Sequence, residues 1–164
     1  MNRPGGTSSR AVAASPLGPL AVEVDAAGRL VRIELGVRAS RPMMQPRAAG
    51  PCAPVLEQLG EYFAGRRRSF DLELAMHGTA FQLATWRALQ AIPWGTTLSY
   101  AQVARAVGSP RAMRAVGGAN GANPLPIVVP CHRVVAADGT LGGYSGGLAN
   151  KRWLLAHEGA VVRD

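Results

Sequence analysis

Two short signatures cut the second half of this chain into brief helices. Thr79-Ala80-Phe81-Gln82 and Ser99-Tyr100-Ala101-Gln102 each place a hydroxyl residue three positions before a glutamine. This capping-box form opens a helix by satisfying its first orphan amides. After the first box, Phe81, Trp86, Leu89 and Ile92 follow at helical spacing until Pro93-Trp94-Gly95 stops the run. After the second, a short helix is expected through Val107, with Gly108 as its C-terminal cap. Ser109 then reads as a cap and Pro110 as the start of a further helix carrying Arg111, Met113, Arg114 and Val116. Two short helices across a tight glycine-containing turn make a helix-turn-helix candidate, although an ordinary helical hairpin carries the same signature.

The first half reads differently. Leu20 to Val24 and Leu30 to Leu35 alternate around Asp25-Ala26-Ala27-Gly28, which predicts an antiparallel hairpin. Residues 38–53, rich in Pro, Gly and Arg, are expected to form a loop. Val55, Leu56, Leu59, Tyr62 and Phe63 then repeat at helical spacing up to Gly65, and Phe70, Leu72 and Leu74 alternate as a third short strand. The expected fold class is therefore α/β of the α+β kind. A flexible tail over 1–15 precedes a small sheet-and-helix lobe over 16–78, and a mainly helical lobe with the helix-turn-helix occupies 79–164.

At 164 residues the chain is long enough to bury a real core, and it has no apolar stretch of membrane-spanning length. Its start is too interrupted by Pro and Gly for an export signal, so a cytoplasmic protein with reduced thiols is expected, nucleoid-associated if bacterial. The net charge of +8 suits an anionic partner, but Lys151 is the only lysine, an arginine bias that coding composition alone can produce. Distribution says more than the total. Arg66-Arg67-Arg68 reads as a solvated helix end, whereas Arg105, Arg111 and Arg114 fall within the helix-turn-helix candidate.

The chemistry centres on Pro130-Cys131-His132-Arg133-Val134, entered from the apolar run Ile127-Val128-Val129. A thiol buried by such a run is ordinarily inert, but basic neighbours favour the nucleophilic thiolate. In an extended segment Cys131 and His132 point to opposite faces, so a relay fits better than a direct pair. Cys52, in Gly50-Pro51-Cys52-Ala53-Pro54, reads as a bystander.

Arg114-Ala115-Val116-Gly117-Gly118-Ala119, Asn123-Pro124, the Pro-Cys-His-Arg-Val segment, Gly143-Tyr144-Ser145-Gly146-Gly147-Leu148 and Trp153-Leu154-Leu155-Ala156-His157-Glu158-Gly159 occur in the order and form of the O6-alkylguanine-DNA alkyltransferases. The chain resembles that family from about Thr79 to Ala160, and its first lobe does so only in plan. The resemblance implies that the protein binds duplex DNA by a helix-turn-helix in the minor groove and flips out a damaged guanine. It then moves the alkyl group from O6 to Cys131, once per molecule, with O4 of thymine left open as a further target.

By the same resemblance, Glu158 polarises His132, which acts through a water as base for Cys131. Tyr100 donates a proton toward guanine N3, Lys151 neutralises developing charge, and Asn123 is a hinge. Arg114 is the finger that fills the vacated stack, with Arg111, Ala112, Ala115 and Gly118 on the groove-facing surface and Tyr100 beside them. The alkyl and base pocket is expected from Pro126, Val134, Gly142, Gly143, Tyr144, Ser145 and Gly146. The first lobe offers only Cys52, with His77 at the boundary, where zinc-binding members have Cys and His ligands, so no metal or cofactor is expected. A chain this short leaves no room for a regulatory lobe, which argues for a stand-alone repair protein, and a monomer with no obligate protein partner is expected. Two other readings stay open: a binding-only sensor of alkylated DNA, in which the cysteine is replaced in known relatives, and a cysteine hydrolase, which needs an oxyanion hole.

Overall fold

A computed structural model describes residues 7–38 and 49–163. The chain divides into two compact units between Met76 and His77. In the first, β1 (Ser9–Ala13), β2 (Leu20–Val24) and β3 (Leu30–Leu35) form an antiparallel sheet in the order β1-β2-β3. The β2–β3 hairpin is the predicted one. Asp25 Oδ1 accepts the Ala27 and Arg29 amides, and Gly28 takes a φ of +81°, the left-handed conformation such a turn needs. The flexible tail expected over 1–15 is corrected over its described part. Ser9–Ala13 pairs along its full length with β2 and buries Ala11, because Ala11 and its neighbours complete the edge that β2 otherwise leaves open. Residues 1–6 and most of the loop expected over 38–53 lie outside the described residues.

The third strand expected at 69–74 is also corrected. Phe70, Leu72 and Leu74 do alternate, half-buried against exposed neighbours, yet only a single bridge forms, Leu30 to Leu74. The reason lies on α1 (Ala53–Phe63), whose Gln58 side chain both donates to the Asp71 carbonyl and accepts its amide, each at 2.9 Å. A side chain has thus taken the groups a ladder would use. Cys52 ends a 3-10 turn entering α1 and is fully buried in this unit's core.

The second unit contains α2 (Ala80–Gln90), β4 (Leu98–Ser99), α3 (Tyr100–Ala106), α4 (Met113–Gly121), β5 (Val134–Val135) and α5 (Leu148–His157). Both capping boxes close reciprocally, at Thr79 with Gln82 and at Ser99 with Gln102. Helices α2, α3 and α4 pack on one another, and β4 pairs in parallel with β5. The helix after Gly108 starts later than the sequence suggests. Ser109 donates its amide to Ala104 and Gly108 donates to Arg105, a Schellman motif with Gly108 at a φ of +77°. The Ser109 carbonyl then accepts the Ala112 amide, so residues 109–112 form a turn and α4 begins at Met113 with no side-chain cap. At the far end, α5 begins at Leu148, directly after Gly147. Among the described residues no helix is long and apolar enough to cross a membrane.

The indole of the fully buried Trp86 reaches from α2 to the Ala119 carbonyl in the last turn of α4, at 2.8 Å. That carbonyl is one of the terminal acceptors a helix cannot satisfy itself. Trp86→Phe should therefore lower stability by about 1–3 kcal/mol by leaving a buried acceptor unpaired, measured by urea denaturation, whereas Trp153→Phe on the half-buried surface should cost less.

Candidate active site

The segment carrying Cys131 is held from α4 and the turn after it. Asn123 donates to the Val129 carbonyl at 2.7 Å while accepting the Leu125 amide, and Asn120 donates to the Cys131 carbonyl at 3.2 Å. Between these clamps Ile127 has a φ of +75°, a left-handed conformation rare for a β-branched residue. Such strain persists only where surrounding contacts over-determine it, and the two asparagines supply those contacts. Residues Cys131–Arg133 form a 3-10 turn in place of an extended segment. The turn swings His132 away into the core, toward α5.

There Glu158 receives three donors. Arg133 Nε reaches Oε1 at 2.7 Å, Arg133 Nη2 reaches Oε2 at 3.0 Å, and His132 Nε2 lies 2.9 Å from Oε2. Arg133 Nη1 donates to the Ile92 carbonyl at 2.6 Å. Glu158 sits at the C-cap of α5, where the helix dipole disfavours a carboxylate. The bidentate guanidinium offsets that penalty and keeps the carboxylate charged. A charged Glu158 makes His132 Nε2 the donor, leaving Nδ1 with the lone pair. Nδ1 is buried and makes no hydrogen bond within the protein. Burial lowers the His132 pKa, against the pull of Glu158, so the ring is neutral at pH 7.

This corrects the electrostatic reading of the Cys-His-Arg run. Arg133 is occupied by Glu158 and His132 is uncharged, so neither presents a free positive charge to the sulfur. Cys131, 2 % exposed, has its thiol pushed up by burial, with Asn123, Lys151 and the Tyr144 hydroxyl acting in the opposite sense. Lys151 is fully buried. Its ammonium donates to the carbonyls of Val134, Leu141 and Gly143, and burial lowers it to about 8 while the Cys131 thiolate favours its charge. Tyr144 Oη is buried and close enough to Cys131 for each to shift the other's titration, yet it makes no hydrogen bond of ordinary geometry. Burial raises the Tyr100 phenol, with the Cys131 charge adding to the effect.

Matches to known proteins agree with this arrangement. The DNA-binding domain of 6-O-methylguanine DNA methyltransferase matches residues 80–160, and the ribonuclease-like domain of the same enzyme matches 9–76. The chain belongs to the 6-O-methylguanine DNA methyltransferase family. The methylated-DNA–protein-cysteine methyltransferase of Mycolicibacterium paratuberculosis is 58% identical over 106 residues, 65% of this chain and 64% of that one. Its counterpart in Salmonella typhimurium is 46% identical over 161 residues, 91% of this chain and 94% of that one. The crystal structure of Mycobacterium tuberculosis OGT in complex with DNA superposes with a TM-score of 0.82 at 42% identity, covering 92% of each chain.

Within this family frame, Cys131, His132, Glu158, Asn123, Lys151, Tyr100 and Tyr144 converge on one region, and Arg114, Arg111 and Ala115 stand exposed on or before α4. Gly118 is exposed and Ala112 half-buried at the N-cap. A cavity of about 500 Å³ opens at Ser109–Ala112, the turn between α3 and α4. Gly142 has a φ of +70°, and a Cβ there would lie 3.3 Å from the Tyr100 ring and hydroxyl, so glycine makes room for the phenol. Gly143 and Ser145 are exposed, and Pro126 and Gly146 half-buried. Val134 is the exception among the expected pocket residues. It pairs with Leu98 in the short ladder and is fully buried, its carbonyl held by Lys151, so it backs the site without lining it. Sequence reasoning missed Asn120 and the structural use of Arg133. Asn120 left no signal, whereas a buried carboxylate at a helix C-terminus implies a cation nearby.

The neutral, buried His132 sets a pH dependence. The unfolded ring takes up a proton near its ordinary 6.5 and the folded ring resists it. Acidification through that value therefore favours unfolding, and stability rises as pH climbs back toward 7. Urea denaturation of the native protein between pH 7 and 5 should show a loss approaching about 1.4 kcal/mol per pH unit from this group, and His132→Gln should flatten the slope.

Proposed function

We propose that this protein repairs alkylated duplex DNA by moving the alkyl group from O6 of a flipped-out guanine to Cys131, irreversibly and once per molecule. The observation that carries the reading is the charged Glu158 holding His132 Nε2, so that Nδ1 of the residue next to Cys131 keeps a buried lone pair with no partner among the described residues. Through a bridging water, Nδ1 is the acceptor for the proton of the raised Cys131 thiol. The thiolate attacks the alkyl carbon, the S–C bond forms as the C–O6 bond breaks, and the electron pair passes into the purine. Tyr100, kept protonated by its raised pKa, supplies the proton that makes the leaving guanine neutral. Lys151 balances negative charge on the sulfur before transfer. The product is a thioether, which has no activated carbon for water to attack, so turnover does not follow. O4-alkylthymine offers the same electrophilic carbon and is a second candidate substrate.

Charge and shape support DNA as the partner. From Leu74 to Ala137 the chain contains no acidic residue, while Arg87, Arg105, Arg111, Arg114 and Arg133 fall in that span. On α4, Gly117, Gly118 and Gly121 have open space where a Cβ would stand, and none has a positive φ. Neither internal packing nor backbone geometry requires them, and each costs helix stability of about 1 kcal/mol relative to alanine. Close approach of an outside surface, here the minor-groove floor, accounts for them. Extruding a base then costs stacking energy that Arg114 offsets by occupying the vacated position.

The deciding experiment incubates the protein with a duplex containing O6-methylguanine and maps the modified residue by intact and peptide mass. One methyl group per chain on Cys131 is expected, with none in Cys131→Ser and full transfer in Cys52→Ser. A binding-only sensor would show DNA affinity without mass change, and a hydrolase would release product beyond one equivalent.

Arg114→Ala separates flipping from chemistry. It should slow repair of duplex DNA by about tenfold or more, given the cost of extrusion, and leave the reaction with free O6-benzylguanine far less affected. Equal losses on both substrates would remove Arg114 from the finger role.

A further inference from the structure

We infer that Met113 acts as an apolar wedge that enters the minor groove beside Arg114 and prises open the neighbouring base step, a role resting on the flipping function proposed above. Met113, Leu148 and Val161 are the large hydrophobic side chains that stand exposed among the described residues, and Met113 is 50% exposed. A single exposed apolar side chain needs no explanation by itself. Its surroundings are what require one. Helix α4 packs inward through Val116, Ala119 and Asn120, while its remaining positions are Met113, Arg114, Ala115, Gly117, Gly118 and Gly121. A helix face turned to water ordinarily carries polar and charged side chains. This one has a single cation, three glycines, an alanine and a methionine.

Apart from Arg114, Met113 is the sole long side chain on that face, and it directly precedes Arg114 at the first turn. The two stand exposed about 100° apart around the first turn, at neighbouring edges of a surface otherwise flattened to backbone. The occupant that fits is duplex DNA. The exposed Arg111 and Arg114 flank Met113 on both sides in sequence, and no carboxylate lies within the surrounding acid-free span. A methionine is flexible and polarisable, suited to packing on base edges and sugars. Apolar side chains, methionine among them, unstack base steps when inserted from the minor groove. In this division of labour Met113 opens the step and Arg114 fills the space left by the extruded guanine. Cys131 and its partners play no part in it, so the role is one of specificity for stacked substrate.

The test compares native protein, Met113→Ala and Met113→Leu in single-turnover transfer from O6-methylguanine in a duplex and in the same strand alone. Met113→Ala should slow duplex transfer about five- to tenfold and single-strand transfer less than about twofold, because only the duplex pays for unstacking. Met113→Leu keeps the apolar volume and should recover most of the duplex rate. A 2-aminopurine placed beside the lesion should brighten on binding native protein and brighten less with Met113→Ala. Native duplex rates in Met113→Ala, or equal slowing on duplex and single strand, would overturn the wedge. So would a Met113-dependent self-association that accounts for the lost rate. Failure of the native protein to alkylate Cys131 would instead sink the transfer function, and the 2-aminopurine signal would still decide the wedge.

Discussion

Everything at the reactive end of this protein depends on one buried carboxylate. Glu158 lies where a helix dipole repels it and where water cannot solvate it, and its charge is affordable only because Arg133 grips both oxygens. That charge in turn sets the tautomer of His132 and so leaves the lone pair on the buried Nδ1. Removing the arginine would strand a charge in the core, and removing the glutamate would strand three donors. The ion pair also joins distant parts of the second unit. Arg133 spans to the Ile92 carbonyl beyond α2, and Glu158 closes α5.

Placement of Glu158 is itself a local backbone matter. Gly159, at a φ of +72°, donates to Ala156 while Ala160 donates to Leu155, the same Schellman closure that ends α3 at Gly108 and α1 at Gly65. The carboxylate therefore leaves the helix at a defined angle. Lys151, two turns earlier on α5, fixes the opposite wall by binding three backbone carbonyls. One helix thus carries both the carboxylate that holds His132 and the ammonium that holds the Val134, Leu141 and Gly143 carbonyls. A change in either is felt through the same rigid element.

The face of α4 that the proposed function assigns to DNA follows the opposite logic. The core of the site is over-specified by ion pairs and asparagine clamps, whereas α4 gives up side chains and accepts glycine's cost to helix stability. A surface built for close approach has little to gain from folding. Its stability comes from elsewhere, including the Trp86 indole that closes its last turn.

The reach of sequence reasoning tracks the range of the interactions involved. Capping boxes at Thr79 and Ser99, the glycine closures at Gly65 and Gly108 and the Asp25–Gly28 turn were legible because their partners lie within a few residues. The Pro-Cys-His-Arg motif and Glu158 were legible only through resemblance, since 26 residues separate the histidine from its carboxylate. Three features were misread for one reason, which is that a competing partner sat far off in the chain or was already engaged. Ser9–Ala13 became a strand because β2 had a vacant edge, Ser69–Leu74 failed to become one because Gln58 took the Asp71 backbone groups, and α4 started late because the Ser109 carbonyl already held the Ala112 amide in a turn. The charge state of the active site belongs to the same class. By itself the sequence determined the helix ends whose signals are local, the starts at Thr79 and Ser99 and the stops at Gly65 and Gly108, because those depend on neighbours in the chain. Only the tertiary structure decided that Arg133 serves Glu158 and not the thiol, because a guanidinium goes to the carboxylate that folding buries beside it, whatever its neighbour in sequence.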